Sequence, residues 1–169
     1  MYKRKKSFFF ILLVALVVSG GYSSTAGDET HYFEWKNTYV GDNSSVASIL
    51  HTLPNEDYFI DFELKTKEKP YGMVLNYNEI PGMTVSSLKE DVLYSATIIF
   101  ALVHNADWVD FNFGEQTTRV SRTELQEWYG FDLNSNTNRE ELIKIINDFS
   151  EDSKIRRFPE LKVWNHSIR

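Results

Sequence analysis

The stretch SLKEDVLYSATIIFALVH, residues 87–104, decides the fold because it is the longest apolar segment that also has a helix start signal. Its helically spaced apolar positions are Leu88, Val92, Ala96, Ile99 and Val103. Further apolar residues make most of the second half of the segment apolar: Leu93, Ile98, Phe100, Ala101 and Leu102. A helix that is apolar on most sides is buried, so we predict that this helix is the core. Ser87 with Glu90 forms the expected capping box, and His104 ends the helix, where the dipole favours an imidazolium.

A short helix and a hairpin are predicted before this segment. Asp42 and Asn43 offer a cap, and Pro54 stops an apolar stripe formed by Val46, Ile49, Leu50 and Leu53. The next segment alternates, with Ile60, Phe62 and Leu64 on one face and charged residues between them. After a polar turn at Lys67–Pro70, the alternation resumes in Tyr71, Met73, Leu75 and Tyr77.

A second hairpin and two helices are predicted after residue 104. Val109, Phe111 and Phe113 alternate with polar residues, and a turn at Gly114–Gln116 leads to Thr118 and Val120. Two more capping boxes follow, Ser121 with Glu124 and Thr137 with Glu140, and Gly130 stands where a C-terminal cap is expected. A further strand near Leu161–Trp164 is considered. This order predicts an α+β fold of two layers, with helices on one face of a four-stranded, mainly antiparallel sheet.

The first 26 residues have the layout of a secretory signal. Lys3, Arg4, Lys5 and Lys6 precede an apolar run over residues 8–18, and small and polar residues follow. This run is shorter than the roughly 20 residues that span a bilayer, although an uncleaved membrane anchor is the alternative. Cleavage before Gly27 is expected, and cleavage after Gly20 competes with it. We therefore expect a secreted protein or one on the outer face of the cytoplasmic membrane, and membrane contact only through an uncleaved signal.

Cysteine is absent from the sequence. Val18-Ser19-Gly20 is similar to the start of a lipoprotein box, but Gly21 stands where the lipid-bearing cysteine is required. A lipid anchor and disulfides are therefore excluded for this sequence, and the core must hold the domain.

The net charge of the chain restricts its possible partners. Without residues 1–26 the chain keeps 14 basic and 24 acidic residues, a formal charge of −10, which argues against nucleic acid as a partner.

The sequence patterns also divide the chain into segments. We expect a signal peptide at 1–26, a tether at 27–37, an α+β domain at 38–133, and a C-terminal helix with a basic tail at 134–169, packed on or extending the domain.

Several phrases of the sequence carry a family resemblance. They are Tyr39 to Ser44, Leu53-Pro54, Glu63 to Thr66 running into Lys69-Pro70-Tyr71-Gly72, and Phe100-Ala101-Leu102 with Asn105. Over residues 38–133 the chain resembles the domain of unknown function DUF4825, a family with no assigned activity. The resemblance implies a small exported protein or lipoprotein of Gram-positive bacteria, and similar domains are joined to membrane-embedded peptidase sensors that detect antibiotics. The missing cysteine departs from the lipoprotein pattern.

The sequence contains histidine, serine and carboxylate residues, which can act in catalysis, but they form no catalytic motif. The four histidines, His31, His51, His104 and His166, form no HExxH pair, and the serines fit helix caps better than a GxSxG nucleophile. Asp61 with Glu63, and Asp107 with Asp110, are carboxylate pairs that a wet sheet face also explains. We therefore assign no catalytic residue, cofactor or metal.

The nearest approach to a metal site is an oxygen-rich run from Asp132 to Glu140. Asp132, Asn134 and Asn136 are weak calcium candidates, but an EF-hand loop needs glycine and glutamate where Thr137 and Ile143 stand. An Asn-rich turn before a capped helix is the preferred interpretation.

Two function classes remain open. The preferred hypothesis is a non-catalytic binding or sensory module of the cell envelope. Its partner would be an envelope protein, a peptide or a glycan, contacted through a strand edge or through Tyr32, Trp35, Tyr71 and Tyr77. The alternative is a small extracytoplasmic hydrolase, whose carboxylate and histidine site would lie in a cleft of strongly perturbed titratable groups.

Overall fold

A computed structural model describes residues 34–133, 139–149, 157–159, 161 and 163–165 of the chain. Its helices are α1 Asn43–Leu50, α2 Val85–Leu102, α3 Arg122–Tyr129 and α4 Arg139–Phe149. Its strands are β1 Phe59–Lys65, β2 Gly72–Tyr77, β3 Trp108–Phe113, β4 Gln116–Ser121 and β5 Val163–Asn165. Within these ranges, no helix combines the length and the apolar character that crossing a membrane requires.

The strands form one mixed sheet in the order β1-β2-β3-β4-β5. Both predicted hairpins are present, β1 with β2 and β3 with β4, and the hairpins join through a parallel pair, β2 with β3. Helix α2 connects these parallel strands, as such a pair requires. The α+β class and the mainly antiparallel sheet are confirmed. A short fifth strand, β5, adds to the four predicted and overlaps the segment near residues 161–164, where the sequence suggests a further strand.

The two faces of the sheet differ in composition. One face packs into the core through Met73, Leu75, Val109, Phe111 and Val120, which are at most 1% exposed. Helix α2 supplies the largest group of core residues, and its last five residues, Ile98–Leu102, are all buried. The prediction that residues 87–104 hold the core is therefore confirmed.

The start of α2 differs from the prediction. Thr84 is the N-cap, and Ser87 is its partner in the capping box rather than the cap itself. The Thr84 hydroxyl accepts from the Ser87 backbone N–H at 3.1 Å, and the Ser87 hydroxyl lies 2.9 Å from the Thr84 backbone N. Both residues fit the spacing of a capping box, so the sequence alone places the start one turn too late. The helix also ends at Leu102, which leaves the exposed His104 in the following loop.

Two other boundaries were wrong by a few residues. Helix α1 ends at Leu50, although Leu53 is still buried, and its predicted cap Asp42 is confirmed. In β1 the register shifts between Phe59 and Asp61, so Ile60 is 55% exposed instead of sharing the inner face with Phe62. A bulge at this position inverts the alternation that the sequence suggests.

The caps of α3 agree with the sequence. Ser121 and Glu124 form the reciprocal capping box, and Gly130 ends the helix with a φ of 78°. Glycine suits this left-handed cap because it has no Cβ to clash. The predicted capping box joins Thr137 with Glu140. Thr137 lies outside the described residues, whereas helix α4 itself is present.

Arg122, at the start of α3, forms hydrogen bonds with the end of α2. Its guanidinium donates hydrogen bonds of 2.6–2.8 Å to the backbone oxygens of Phe100, Val103 and Ala106. These are carbonyls at and just after the helix end, where backbone acceptors have no helical partner. Burial lowers the pKa of Arg122 to about 10, so the group stays charged at neutral pH and the bonds are charge-assisted.

We predict that Arg122→Met destabilises the protein by about 3 kcal/mol, because it leaves carbonyls without their charged donor. The control is Lys65→Met. Lys65 pairs with Glu63 on the exposed edge strand β1, where an ion pair contributes about 0–1 kcal/mol. Urea unfolding of both variants measures the difference, and equal losses would contradict the role assigned to Arg122.

A second prediction concerns Gly72, over which the Trp108 side chain lies. A Cβ at Gly72 would lie 2.5 Å from the backbone oxygen of Trp108 and closer still to its ring. Because the backbone oxygen cannot move away cheaply, we expect Gly72→Ala to cost about 1–3 kcal/mol of stability. Gly41→Ala is the control, since a Cβ there meets nothing within 4 Å. Thermal unfolding that leaves both variants at the wild-type midpoint would refute this packing.

Candidate functional site

A groove of about 540 Å³ opens where strands β2 and β3 end. Two segments border it: the connection from β2 to α2, and the turn between β3 and β4. Because β2 and β3 are parallel, their carboxyl ends, Tyr77 and Phe113, lie side by side at this edge. In open α/β sheets, ligands bind outside the carboxyl ends of the parallel strands, and β2 and β3 are the parallel pair of this mainly antiparallel sheet.

The lining of the groove is mixed, and five of its ten residues are apolar. Its apolar residues are Ile80, Met83, Val85, Leu88 and Phe113. Leu88 is 8% exposed and belongs to the core, whereas Val85 is 83% exposed. An isolated exposed valine is unremarkable on a surface, but Val85 lies beside the apolar residues of the groove and extends the apolar surface that a ligand would cover.

Polar groups stand at the rim of the groove. Glu79 and Glu115 are exposed carboxylates, and Thr84 and Gln116 add a hydroxyl and an amide. A Cβ on Gly114 would meet the Cβ of Glu79 at 3.9 Å, so Glu79 lies beside the turn that carries Glu115. Among the described residues that line the groove, none is basic.

The walls of the groove are held by backbone bonds and ring stacking. The Gly114 N–H donates to the Tyr77 carbonyl at 3.2 Å, and the Met83 N–H donates to the Ile80 carbonyl at 3.2 Å. The Phe113 ring stacks on the Tyr77 ring with centroids 4.8 Å apart. The groove is therefore formed before any ligand arrives, as is usual for binding sites.

The comparison with protein families supports the resemblance stated above. The family model for the domain of unknown function DUF4825 matches residues 32–127, more than half of the chain. The chain belongs to the DUF4825 family. No curated protein and no solved structure is detectably similar to this DUF4825 chain.

The family match covers the whole groove and ends within α3. Helix α4 and strand β5 of this DUF4825 protein lie beyond it. Leu142 of α4 and Phe158 are nevertheless buried in the same core, and the Lys89 ammonium donates to the Phe158 carbonyl at 2.7 Å. Leu142 and Phe158, both beyond the match, thus pack against the domain.

The aromatic residues predicted to contact a ligand are scattered. Tyr32 lies outside the described residues, and Trp35 and Tyr71 are half-buried against the core. Tyr77 is 4% exposed, and burial together with the charge of Asp91 raises its pKa far above the usual value. Of the three described residues, Tyr77 is the one near the groove, where its ring stacks on the ring of Phe113.

The calcium candidates are only partly described. Asp132 is exposed, and its carboxylate accepts a hydrogen bond from the Gln126 amide at 2.7 Å. Asn134 and Asn136 lie outside the described residues. Elsewhere in the described ranges, no three His, Asp or Glu side chains are grouped so as to hold a metal ion.

The carboxylates of the polar sheet face are used in hydrogen bonds within the sheet. Asp61 accepts from Asn76 at 2.6 Å, Asn76 accepts from Asn112 at 2.7 Å, and Asn112 accepts from the Thr117 hydroxyl at 2.7 Å. This chain of bonds crosses four strands and fixes each amide in one orientation. These side chains serve as hydrogen-bond partners for one another, so their role is structural.

The neighbouring carboxylates on this side of the sheet are also paired. Asp110 accepts two bonds from Arg119, at 2.6 and 2.7 Å, and these bonds raise the pKa of Arg119. The Arg119 guanidinium lies 4.1 Å from the centre of the Trp108 ring. Asp107 accepts from the Tyr71 backbone N–H at 2.8 Å, which joins the starts of β2 and β3. The structure does not bring these pairs into the groove.

The two described histidines also lie away from the groove. His51 contacts Glu56, with Nδ1 3.2 Å from the carboxylate, and the His104 ring meets the edge of Tyr39 with centroids 5.6 Å apart. The groove residues themselves were missed by the sequence analysis. The available signal was the segment IPGMTV, residues 80–85, whose apolar residues belong to no predicted strand or helix.

Proposed function

We propose that this DUF4825 protein is an extracytoplasmic binding module that holds its ligand in the groove at the carboxyl ends of β2 and β3 without chemically changing it. The observation that carries the proposal is a concave groove with five apolar residues among its ten lining residues and the exposed Val85 at its edge. Binding sites are usually concave surfaces that combine apolar side chains with a few placed polar groups.

The placement of the perturbed titratable groups favours binding over catalysis. A catalytic cleft collects groups whose pKa values are strongly shifted. The largest shifts among the described residues belong to Arg122, Tyr77 and Tyr129, and burial is their leading cause. None of the three lines the groove. The groove is therefore better suited to recognition than to proton transfer.

The extracytoplasmic part of the proposal is supported by the sequence of residues 1–26, which lie outside the described residues. Four consecutive cations followed by an apolar run of signal-peptide length are typical of exported proteins. A location in the cell envelope also provides a source of peptide and protein ligands for such a groove.

Val85→Asp tests the groove. The substitution places a charge at its apolar edge, yet an acid in the first turn of α2 is favoured by the helix dipole, so folding is preserved. We expect the neutral dye Nile red to fluoresce in the groove of the wild type and to lose about tenfold in affinity in the variant. Ser86→Asp is the matched control, because it adds the same charge one residue along and does not line the groove. Equal dye binding by all three proteins would reject the groove as the site.

Export is tested at the N-terminus. Produced in a Gram-positive host, the protein recovered from the medium should begin at Gly27, or at Gly21 if the earlier site is used, as measured by intact mass. Leu13→Lys, which interrupts the apolar run, should leave the chain unprocessed inside the cell. Wild-type protein that stays dissolved in the cytosol with Met1 attached would contradict an extracytoplasmic role.

A further inference from the structure

We propose that residues 166–169, His-Ser-Ile-Arg, lie in the groove and compete there with its ligand, so that the chain limits access to its own binding site. These four residues, the HSIR segment, follow strand β5 directly and lie outside the described residues. The inference rests on the proposed function of the groove as a binding site, and it adds the regulation of that site.

The register of β5 brings the HSIR segment to the groove. Strand β5 runs antiparallel to β4, and its last residue, Asn165, pairs with Gln116. Gln116 is the first residue of β4 and one of the residues that line the groove. It also pairs with Phe113, the last residue of β3. The chain therefore leaves β5 at the end of the sheet where the groove opens.

The HSIR segment is long enough to cross the groove. Neighbouring strands lie about 4.8 Å apart, so the two spacings from β5 to β3 amount to about 10 Å. Four extended residues reach about 13 Å. Beyond β3, a Cβ on Gly114 would lie 3.9 Å from the Cβ of Glu79. The long side chain of Arg169 therefore has the reach to meet Glu79 on the far side of the groove.

The composition of the HSIR segment suits the mixed lining of the groove. Ile168 supplies an apolar side chain for the five apolar lining residues, and Arg169 supplies a cation for the exposed carboxylate of Glu79. Glu115 already has an interaction partner within the chain and needs no new one. One apolar contact and one charge contact thus fit the groove as it stands.

The charge distribution along the chain favours this contact. The segment 154–169 holds five of the 14 basic and one of the 24 acidic residues that follow position 26, so residues 27–153 carry a formal charge of −14. The basic segment is therefore attracted to the acidic domain. A short tether also gives an effective concentration on the order of mM, so that a weak contact is enough to fill the groove.

A chain that ends at Asn165 tests the competition, because it keeps β5 and removes the HSIR segment. We expect its affinity for Nile red to rise about tenfold, since a groove that is open for about a tenth of the time binds its ligand about ten times more weakly. Ile168→Ser with Arg169→Ser should reproduce this gain at full length. Ser167→Ala is the matched control, which leaves both contacts in place and should bind the dye as the wild type does. Unchanged unfolding midpoints establish that all variants are folded.

A pair of introduced cysteines tests where the HSIR segment lies. The chain has no native cysteine, so Ile168→Cys with Val85→Cys supplies the only two thiols. We expect mild oxidation to join them within one chain, as measured by intact mass after alkylation of the remaining thiols. Ile168→Cys with Gly41→Cys is the control, because Gly41 is exposed but does not line the groove, and this pair should stay reduced.

The outcomes separate this inference from the proposed function. If Val85→Asp weakens dye binding, but the shortened chain binds the dye as the wild type does and the cysteines stay reduced, the HSIR inference is overturned and the groove remains a binding site. If neither chain binds the dye but the cysteines join, the segment lies in the groove and the binding function is rejected. If neither chain binds the dye and the cysteines stay reduced, both proposals fail. A disulfide between two chains would place the segment of a second copy in the groove and would overturn the inference.

Discussion

The three hydrogen bonds from Arg122 to the end of α2 are the constraint on which the remaining structure depends. They satisfy carbonyl groups that helix geometry leaves without partners, in a place where water has limited access. The loop after the helix adds its own ties. The Asn105 side chain accepts from the Val40 N–H at 2.8 Å, and the His104 N–H donates to the Thr38 carbonyl at 2.7 Å. One short segment thereby holds the N-terminal part, α2 and α3 together.

This attachment determines where the groove forms. With the end of α2 fixed, β3 starts beside the start of β2, and the Asp107 N–H bonds to the Tyr71 carbonyl at 2.7 Å. The two strands then run parallel and finish together at Tyr77 and Phe113. The groove is the space left between these ends and the first turn of α2. The position of the groove at one end of the sheet thus follows from a backbone attachment at the other end.

Much of the fold could be predicted from local patterns. The apolar run of α2, both hairpins and the caps at Asp42, Ser121 and Gly130 are each encoded by residues close in sequence. Errors arose where two local readings compete, as at Thr84 and Ser87, or where a bulge shifts the alternation, as at Ile60. The parallel pairing of β2 with β3 was not specified, because alternation is the same in parallel and antiparallel strands.

The candidate site could not be predicted from the sequence, for a related reason. Glu79 and Val85 precede or begin α2, whereas Phe113 and Glu115 follow it by more than ten residues. Only the parallel pairing brings these segments together, so no spacing rule links them. The aromatic residues do not point to the groove either, since Tyr77 contributes to the core rather than to an exposed surface.

Strand β5 changes how the outer edge of the sheet meets other molecules. The family match ends within α3, and a sheet limited to that region would leave β4 with a row of open backbone donors and acceptors. Three residues of β5 occupy that row over Gln116–Thr118. The opposite margin, β1, carries the bulge at Ile60 and the charged Glu63 and Lys65, features that discourage strand addition. Strand β5 thus covers backbone groups of β4 that could otherwise pair with a strand of another molecule.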